Sequence, residues 1–200
     1  VGDIHGCLAS LERLLDQVSP RPEDRMVFLG DYIDRGPDSA GVVALLLEFV
    51  AAHPSTIFLR GNHEQMLLDF ISDRDPLAFL TNGGELTLAS YQKRSLWPIP
   101  PRHLQFFEQL RDFFETPEFI FVHAGLRPGV ALAQQDPFDL LWIRDAFLSS
   151  SADWGKTVVF GHTPQQEPLL TAKRIGLDTG CVYGRRLTCC DVYSRQIWSV

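Results

Sequence analysis

The chain has 200 residues, of which 45% are hydrophobic and 22% are charged, and its formal net charge is −7 at pH 7. This size and composition are typical of a globular chain that buries a real core, so we expect a single domain over residues 1–200. Neither nucleic acid nor a membrane is an expected partner, since the chain lacks a basic excess and has no apolar run near the roughly 18 residues of a membrane span.

The first third of the chain alternates between short apolar runs and segments with apolar residues at helical spacing. The runs at 26–29 and 56–59 predict buried strands that end in glycine-containing loops. Periodic leucines predict a helix from Leu8 to Val18, which ends at the following Ser-Pro pair. Asp38 or Ser39 could cap a second helix that stops before Pro54, and a third helix contains residues 66–71.

The rest of the chain divides into a helical middle and a strand-rich second half. The segment 73–114 reads as mostly helical, with breaks at Gly83-Gly84 and at the prolines of 98–101, and the apolar stripe of 104–114 predicts one last helix. Strand-like runs follow at 119–122, 157–160, 174–177, 186–192 and 196–200. Strands that first alternate with helices and then follow one another predict an α/β fold in which two sheets pack together between helices.

Five apolar runs end in short loops that carry ionisable or amide side chains. In sheet-based folds such loops meet outside the carboxyl ends of the strands, so we expect one cluster. Its carboxylates and imidazoles, with no thiolate, suit divalent manganese, iron or zinc, and a pair of such ions suits phosphoryl transfer. Turn chemistry alone does not explain four histidines. The loops hold Asp3 and His5, Asp31 and Asp34, Asn62 and His63, His123, and His162.

The motifs around these residues occur in a recognisable order. They are Gly2-Asp3-Ile4-His5-Gly6, Gly30-Asp31-Tyr32-Ile33-Asp34-Arg35-Gly36, Gly61-Asn62-His63-Glu64, His123-Ala124-Gly125 and Gly161-His162-Thr163. Together they resemble the ordered signature of the metallophosphoesterases, in the bacterial form of the phosphoprotein phosphatase branch. The resemblance implies a calcineurin-like fold, a two-sheet β-sandwich flanked by helices, that forms one catalytic domain with two divalent ions. Manganese is favoured, and iron or zinc is possible.

The resemblance also implies roles for individual residues. A hydroxide held between the ions would attack phosphorus directly, His63 would protonate the leaving alkoxide, and Asp34 would orient His63 and raise its pKa. Arg35 matches a phosphate-binding arginine, and Arg60 and Arg144 resemble two more in the bacterial branch. Six residues match the metal ligands, with Asp31 as the bridge: Asp3, His5, Asp31, Asn62, His123 and His162.

The implied activity is phosphomonoester hydrolysis, and we predict a serine/threonine protein phosphatase that acts on a phosphoprotein or phosphopeptide. The alternative is a bis(5′-nucleosyl)-tetraphosphatase of the symmetrical type, which the segment 177–190 also resembles. Asp34 favours the phosphatase, because the tetraphosphatases typically carry a non-acidic residue there. A non-catalytic scaffold is disfavoured, because every ligand position is filled. Asp178 could lie near the metal edge or form a turn at the end of a strand.

The cysteines and the start of the chain bear on localisation. Cys7, Cys181, Cys189 and Cys190 are spaced neither as a zinc knuckle nor as a small disulfide scaffold. Free thiols in a reducing compartment are therefore favoured, which points to the cytoplasm. Val1 leads directly into a glycine-bounded loop with no signal-peptide pattern. We expect a trimmed first strand, which leaves targeting open, and the oligomeric state is open as well.

Overall fold

The apolar patterns of the sequence form eight α-helices and nine strands in the computed structural model, which describes residues 1–200. None of the helices combines the length and the apolar character that crossing a bilayer requires. The helices are α1 (Leu8–Val18), α2 (Ser39–Ala52), α3 (Asn62–Ile71), α4 (Pro76–Phe79), α5 (Glu85–Lys93), α6 (Pro101–Glu108), α7 (Pro137–Trp142) and α8 (Asp145–Leu148). The strands are β1 (Val27–Phe28), β2 (Ile57–Phe58), β3 (Phe113–Glu115), β4 (Phe119–Val122), β5 (Thr157–Phe160), β6 (Leu169–Leu170), β7 (Arg174–Gly176), β8 (Thr188–Cys190) and β9 (Ile197–Ser199).

The strands form a five-stranded sheet and two strand pairs, which residues 1–2 join into a second sheet. The first has five strands in the order β3-β4-β5-β7-β6, with β4, β5 and β7 parallel and an antiparallel strand at each edge. The second consists of the parallel pair β1-β2 and the antiparallel pair β8-β9. The first two residues join these pairs, because Leu29 N–H donates to the Val1 carbonyl and Gly2 N–H donates to that of Thr188, both at 3.0 Å.

Alternation along β4 and β5 explains the layered core. Phe119, Phe121 and Val159 point between the sheets, where they pack with Leu29 and Leu59 of the second sheet. The intervening residues of β4 and β5 point the other way, onto α7 and α8. A larger apolar cluster covers the far side of the second sheet beneath α1, α2, α3, α5 and α6. The predicted two-sheet sandwich flanked by helices is therefore confirmed.

The segment 104–114 differs from its prediction. The apolar stripe predicts one helix to Phe114, but α6 ends at Glu108 and residues 113–115 form β3. Phe113 pairs with Val122 of β4, and the Phe114 and Phe121 rings lie 5.9 Å apart across the two strands. Antiparallel pairing with the next strand, across the short turn of residues 116–118, thus outweighs the helical periodicity. The short edge strand β6 also escaped prediction, and α3 begins earlier than expected, at Asn62.

Candidate metal centre

The predicted site loops share an unusual backbone. A positive φ is uncommon for a residue other than glycine, and such strain concentrates at functional sites. Here it recurs in three of the five loops, where it turns the chain sharply and aims side chains into one cleft. The residues and angles are His5 (47°), Asp31 (53°), Asp34 (70°), Arg35 (65°) and His162 (65°).

Asp31 lies at the centre of the cluster. Its Oδ2 is 3.4 Å from Nε2 of His5, and its Oδ1 is 3.4 Å from Nε2 of His123. His5 Nδ1 donates to the Ile33 carbonyl at 2.8 Å, which leaves Nε2, beside Asp31, as the unprotonated nitrogen of the ring. One carboxylate therefore presents an oxygen to an imidazole on each side, as a bridge between two ions requires.

Asn62, His123 and His162 form the second half of the cluster. Asn62 Oδ1 lies 3.0 Å from both His123 Nε2 and His162 Nδ1. His123 Nδ1 donates to the Leu29 carbonyl at 2.8 Å, which orients its Nε2 toward the cluster. His162 Nε2 is buried and has no hydrogen-bond partner. Three ligand-type atoms from three different loops therefore converge beside Asp31.

The imidazoles of the cluster are held in the neutral form. Burial lowers the pKa of His5 to about 3 and that of His162 to about 2. Burial also lowers the pKa of His123. A neutral imidazole keeps the lone pair that binds a metal, so these histidines need lose no proton before binding at neutral pH.

The carboxylates of the cluster repel one another. Burial, Asp178 and Asp31 raise the pKa of Asp3 well above its usual range. Burial, followed by Asp31, raises the pKa of Asp178 to about 6, although its Oδ1 also accepts the Gly180 N–H in a strand-end turn. Burial would raise the pKa of Asp31 too, but the neighbouring imidazoles outweigh it and lower that pKa. Such a group of buried acids favours a bound cation.

Two glycines leave room for the carboxylates of the cluster, because any side chain at their positions would clash with a carboxylate oxygen. A Cβ at Gly61 would lie 2.1 Å from Asp31 Oδ1, and one at Gly161 would lie 2.1 Å from Asp3 Oδ1. The donor atoms, their neutral imidazoles and this clearance all fit divalent metal ions. Two groups with ligand atoms within 4.8 Å of one another could each hold an ion, and they share Asp31: His5, Asp31 and His63, and Asp31, His123 and His162.

His63 and Asp34 form a buried pair at the edge of the cluster. His63 Nδ1 lies 2.7 Å from Asp34 Oδ2, and His63 Nε2 has no hydrogen-bond partner. The expectation that the pKa of His63 is raised is wrong, because burial lowers it to about 4. Burial also raises the pKa of Asp34 well above its usual range. Burial thus disfavours the charged form of each partner.

The fold and this cluster agree with what comparison with known proteins finds. Residues 1–193 match the family model described as calcineurin-like phosphoesterase. The chain belongs to this metallophosphoesterase family. It is therefore a phosphoester hydrolase of a family that uses divalent metals. The match spans nearly the whole sequence, so the motifs and the fold point to the same family.

Relatives of this metallophosphoesterase carry two kinds of name. Serine/threonine-protein phosphatase 1 of Salmonella typhimurium is 35% identical over 94% of this chain and 88% of its own length. The asymmetrical bis(5′-nucleosyl)-tetraphosphatase PrpE of Oceanobacillus iheyensis is 28% identical over 100% of this chain and 90% of its own. A solved protein assigned as a diadenosine tetraphosphatase superposes with a TM-score of 0.76 at 30% identity, covering 100% of this chain and 90% of that one.

The three predicted phosphate-binding arginines of the metallophosphoesterase differ in their surroundings. An Arg35 guanidinium nitrogen lies 3.0 Å from His5 Nε2, at the cluster. Arg144 is exposed, and its charge helps to lower the pKa of His123 and of His162. Both cations therefore act on the cluster.

Arg60 is held elsewhere. Its guanidinium donates to Gln65 Oε1 at 3.0 Å and to the Leu110 carbonyl at 3.2 Å, and it lies 3.8 Å from Asp112. None of these partners is a predicted site residue. Of the three predicted arginines, Arg35 is therefore the one that the structure places in contact with a cluster residue.

Glu64 is a site residue that the sequence analysis missed. It is fully buried, and it accepts the backbone N–H groups of Asp31 (2.9 Å), Tyr32 (2.8 Å) and Gly61 (3.0 Å). It thereby ties the loop that carries Asp31 to the start of α3, where Asn62 lies. The available signal was its place at the third residue after Gly61, which is the glutamate position of a capping box.

Proposed function

We propose that this metallophosphoesterase is a metal-dependent phosphomonoesterase that acts on phosphoserine and phosphothreonine in proteins. The observation that carries the proposal is the buried Asp34–His63 pair beside the ligand cluster, with His63 Nε2 unpartnered. Serine and threonine leave as strongly basic alkoxides, so their release needs a positioned proton donor. The 35% identical relative that is named as a serine/threonine-protein phosphatase supports the same substrate class.

We infer that two divalent ions bind in the cluster, with Asp31 shared between them. Bound there, the ions would activate a water molecule and withdraw charge from the phosphoryl oxygens. Manganese is the metal we favour, with iron or zinc as substitutes, because oxygen and imidazole ligands suit all three. The proposed ligands are Asp3, His5, Asp31, Asn62, His123 and His162.

The remaining side chains would act on the substrate. His63 Nε2, 4.0 Å from Asp31 Oδ2, would give its proton to the leaving oxygen. Asp34 would hold the imidazole in the orientation that this transfer needs. Arg35 and Arg144 would bind the phosphoryl oxygens, since a guanidinium can hold two of them at once. Arg60 could join them only if its guanidinium left Gln65 and Leu110.

Hydrolysis of dinucleoside tetraphosphates is the second candidate. It rests on the relative named as a tetraphosphatase that matches 100% of this chain, and on the 30% identical solved protein. The relative is named as asymmetrical, whereas the sequence motifs favour the symmetrical type as the alternative. The alternative is therefore restated as asymmetrical cleavage of diadenosine tetraphosphate.

A side-by-side measurement of rates separates the candidates. A phosphoserine peptide, a phosphotyrosine peptide and diadenosine tetraphosphate would be compared at matched concentrations with added manganese. The proposal predicts the highest kcat/KM on the phosphoserine peptide. A higher kcat/KM on diadenosine tetraphosphate would support the second candidate and refute the first. Activity that survives exhaustive chelation would contradict both.

A further inference from the structure

One face of α5 (Glu85–Lys93) is docked by hydroxyl groups onto the loop that carries Asp34. Thr87 and Ser90 lie one helical turn apart and are both buried. Ser90 Oγ accepts the Ala40 N–H at 3.0 Å and donates to Asp38 Oδ1 at 3.1 Å, at the start of α2. This second contact fixes α5 against α2 without touching Asp34. The helix therefore presents the hydroxyl of Thr87 from a held position.

Thr87 contacts Asp34 at two points. Its hydroxyl donates to Asp34 Oδ1 at 2.6 Å, and the same oxygen accepts the Asp34 N–H at 2.9 Å. Ser39 Oγ lies 2.9 Å from the Thr87 hydroxyl and also accepts the Asp34 N–H, at 3.1 Å. Thr87 and Asp34 are both fully buried, so water cannot replace these bonds.

The two oxygens of Asp34 thus have different partners. Oδ2 meets His63 Nδ1 at 2.7 Å, and Oδ1 meets the Thr87 hydroxyl. The last torsion of an aspartate side chain has broad energy minima, so one hydrogen bond does not fix the plane of the carboxylate. A second bond on the other oxygen fixes that plane, and with it the direction in which His63 points.

We propose that Thr87 is a positioning residue that sets the Asp34–His63 pair for proton delivery to the leaving group. The proposal rests on the proposed role of His63 as the general acid. Thr87 touches no substrate, so its effect should reach the reaction only through Asp34. Its removal should therefore impair the steps that need a proton donor and spare those that do not.

Two substrates with different leaving groups can test the proposed role of Thr87. A phosphoserine peptide releases a strongly basic alkoxide that must be protonated, whereas 4-nitrophenyl phosphate releases a weakly basic phenolate that leaves with little help. The enzyme loaded with manganese would be assayed on both substrates as the parent and as Thr87→Val, Thr87→Ser, Ser90→Ala and His63→Asn. Metal content would be measured for each preparation.

Thr87→Val should lower kcat on the phosphoserine peptide by about 10- to 100-fold, the usual effect of leaving a buried hydrogen-bond partner unsatisfied. On 4-nitrophenyl phosphate kcat should fall by less than about threefold, with KM and metal content unchanged. Thr87→Ser keeps the hydroxyl and should restore the peptide rate. Ser90→Ala loosens the same helix face but leaves Asp34 alone, so it should show no dependence on the leaving group.

The outcomes separate this inference from the function it rests on. If His63→Asn shows the leaving-group-dependent loss and Thr87→Val does not, the role of Thr87 is overturned and the general acid stands. If Thr87→Val and Ser90→Ala lower both rates equally, Thr87 is only structural and the inference is wrong. If His63→Asn lowers both rates equally, His63 is not the general acid, and the proposed role of Thr87 is then wrong as well. Should Thr87→Val not fold, Thr87→Ala removes the same hydroxyl and decides the question.

Discussion

Replacing Asp178 with asparagine should stabilise the protein when metal is absent. The carboxyl of Asp178 is buried near Asp3 and Asp31, and its pKa is raised from an ordinary 3.8 to about 6, chiefly by burial and then by Asp31. Keeping this group ionised above pH 6 therefore costs the folded state about 3 kcal/mol. Asparagine keeps the Oδ1 that accepts the Gly180 N–H at 2.9 Å, so the turn is preserved while the charge is lost.

The protonation of Asp178 determines how the stability of the metal-free parent changes with pH. Between about pH 4 and pH 6 the folded state holds a proton on Asp178 that the unfolded state has lost, so the stability of the metal-free parent falls as the pH rises through this window. Below pH 4 both states are protonated and the cost disappears. In excess chelator, Asp178→Asn should thus match the parent near pH 4 and exceed its Tm by roughly 6–12 °C at pH 7.5.

Thermal melts at the two pH values, with chelator and with manganese, test this expectation. With manganese the Tm advantage of Asp178→Asn over the parent should shrink, because the lost charge no longer attracts the ions. The rise in Tm on adding metal should therefore be smaller for Asp178→Asn than for the parent. If the variant melts at or below the parent at pH 7.5 in chelator, the account of a strained cluster of acids is wrong.

Three further predictions concern single contacts. Glu64→Gln would turn an amide NH2 toward backbone N–H groups, including that of Asp31, and should lower the free energy of unfolding by about 2–4 kcal/mol; an unchanged urea midpoint would contradict this. Gly161→Ala would put a Cβ 2.1 Å from Asp3 Oδ1 and should abolish manganese binding in calorimetry, whereas parent-like binding would show that the site can relax. Arg144→Ala should raise KM for a phosphopeptide about tenfold at unchanged metal content, and a parent-like KM would remove this arginine from the phosphate site.

The sequence predicts the ligand-type residues of the candidate site better than it predicts the residues that hold them in place. Asp31, Asn62 and His123 follow separate apolar runs, and the ends of neighbouring strands meet at one edge of a sheet. That rule is local to each strand end, so it works without knowledge of the pairing order. It brought together the ligand-type residues of all five loops.

The residues that hold the site in place, Glu64 and Thr87, act through contacts between distant parts of the chain. Glu64 acts on a loop about thirty residues earlier, and Thr87 acts on Asp34 across a separation of 53 residues. In the sequence, Glu64 and Thr87 look like ordinary helix residues. Nothing in their local sequence indicates which distant groups they contact. The pKa of His63 escaped prediction for a similar reason, because burial outweighs the neighbouring carboxylate and burial is a property of the whole fold.

Strand β3 escaped prediction for a different reason, because a helical spacing of apolar residues continues into a strand. Phe113 and Phe114 continue the helical spacing of α6, and the periodicity gives no sign that the helix has ended at Glu108. Their place in the first sheet is set by the register of Phe113 opposite Val122. Where a pattern fits both a helix and a strand, packing against cross-strand neighbours and burial decide between them.

The central claim is that two ions share Asp31 while His63 stays free to deliver a proton. Metal content per chain, measured after loading with manganese and removal of excess, tests it in the parent, Asp31→Asn and His63→Asn. We expect about two ions per chain in the parent and in His63→Asn, with turnover of the phosphoserine peptide lost in the latter, and an empty site in Asp31→Asn. Loss of metal from His63→Asn would make His63 a ligand and would contradict the account.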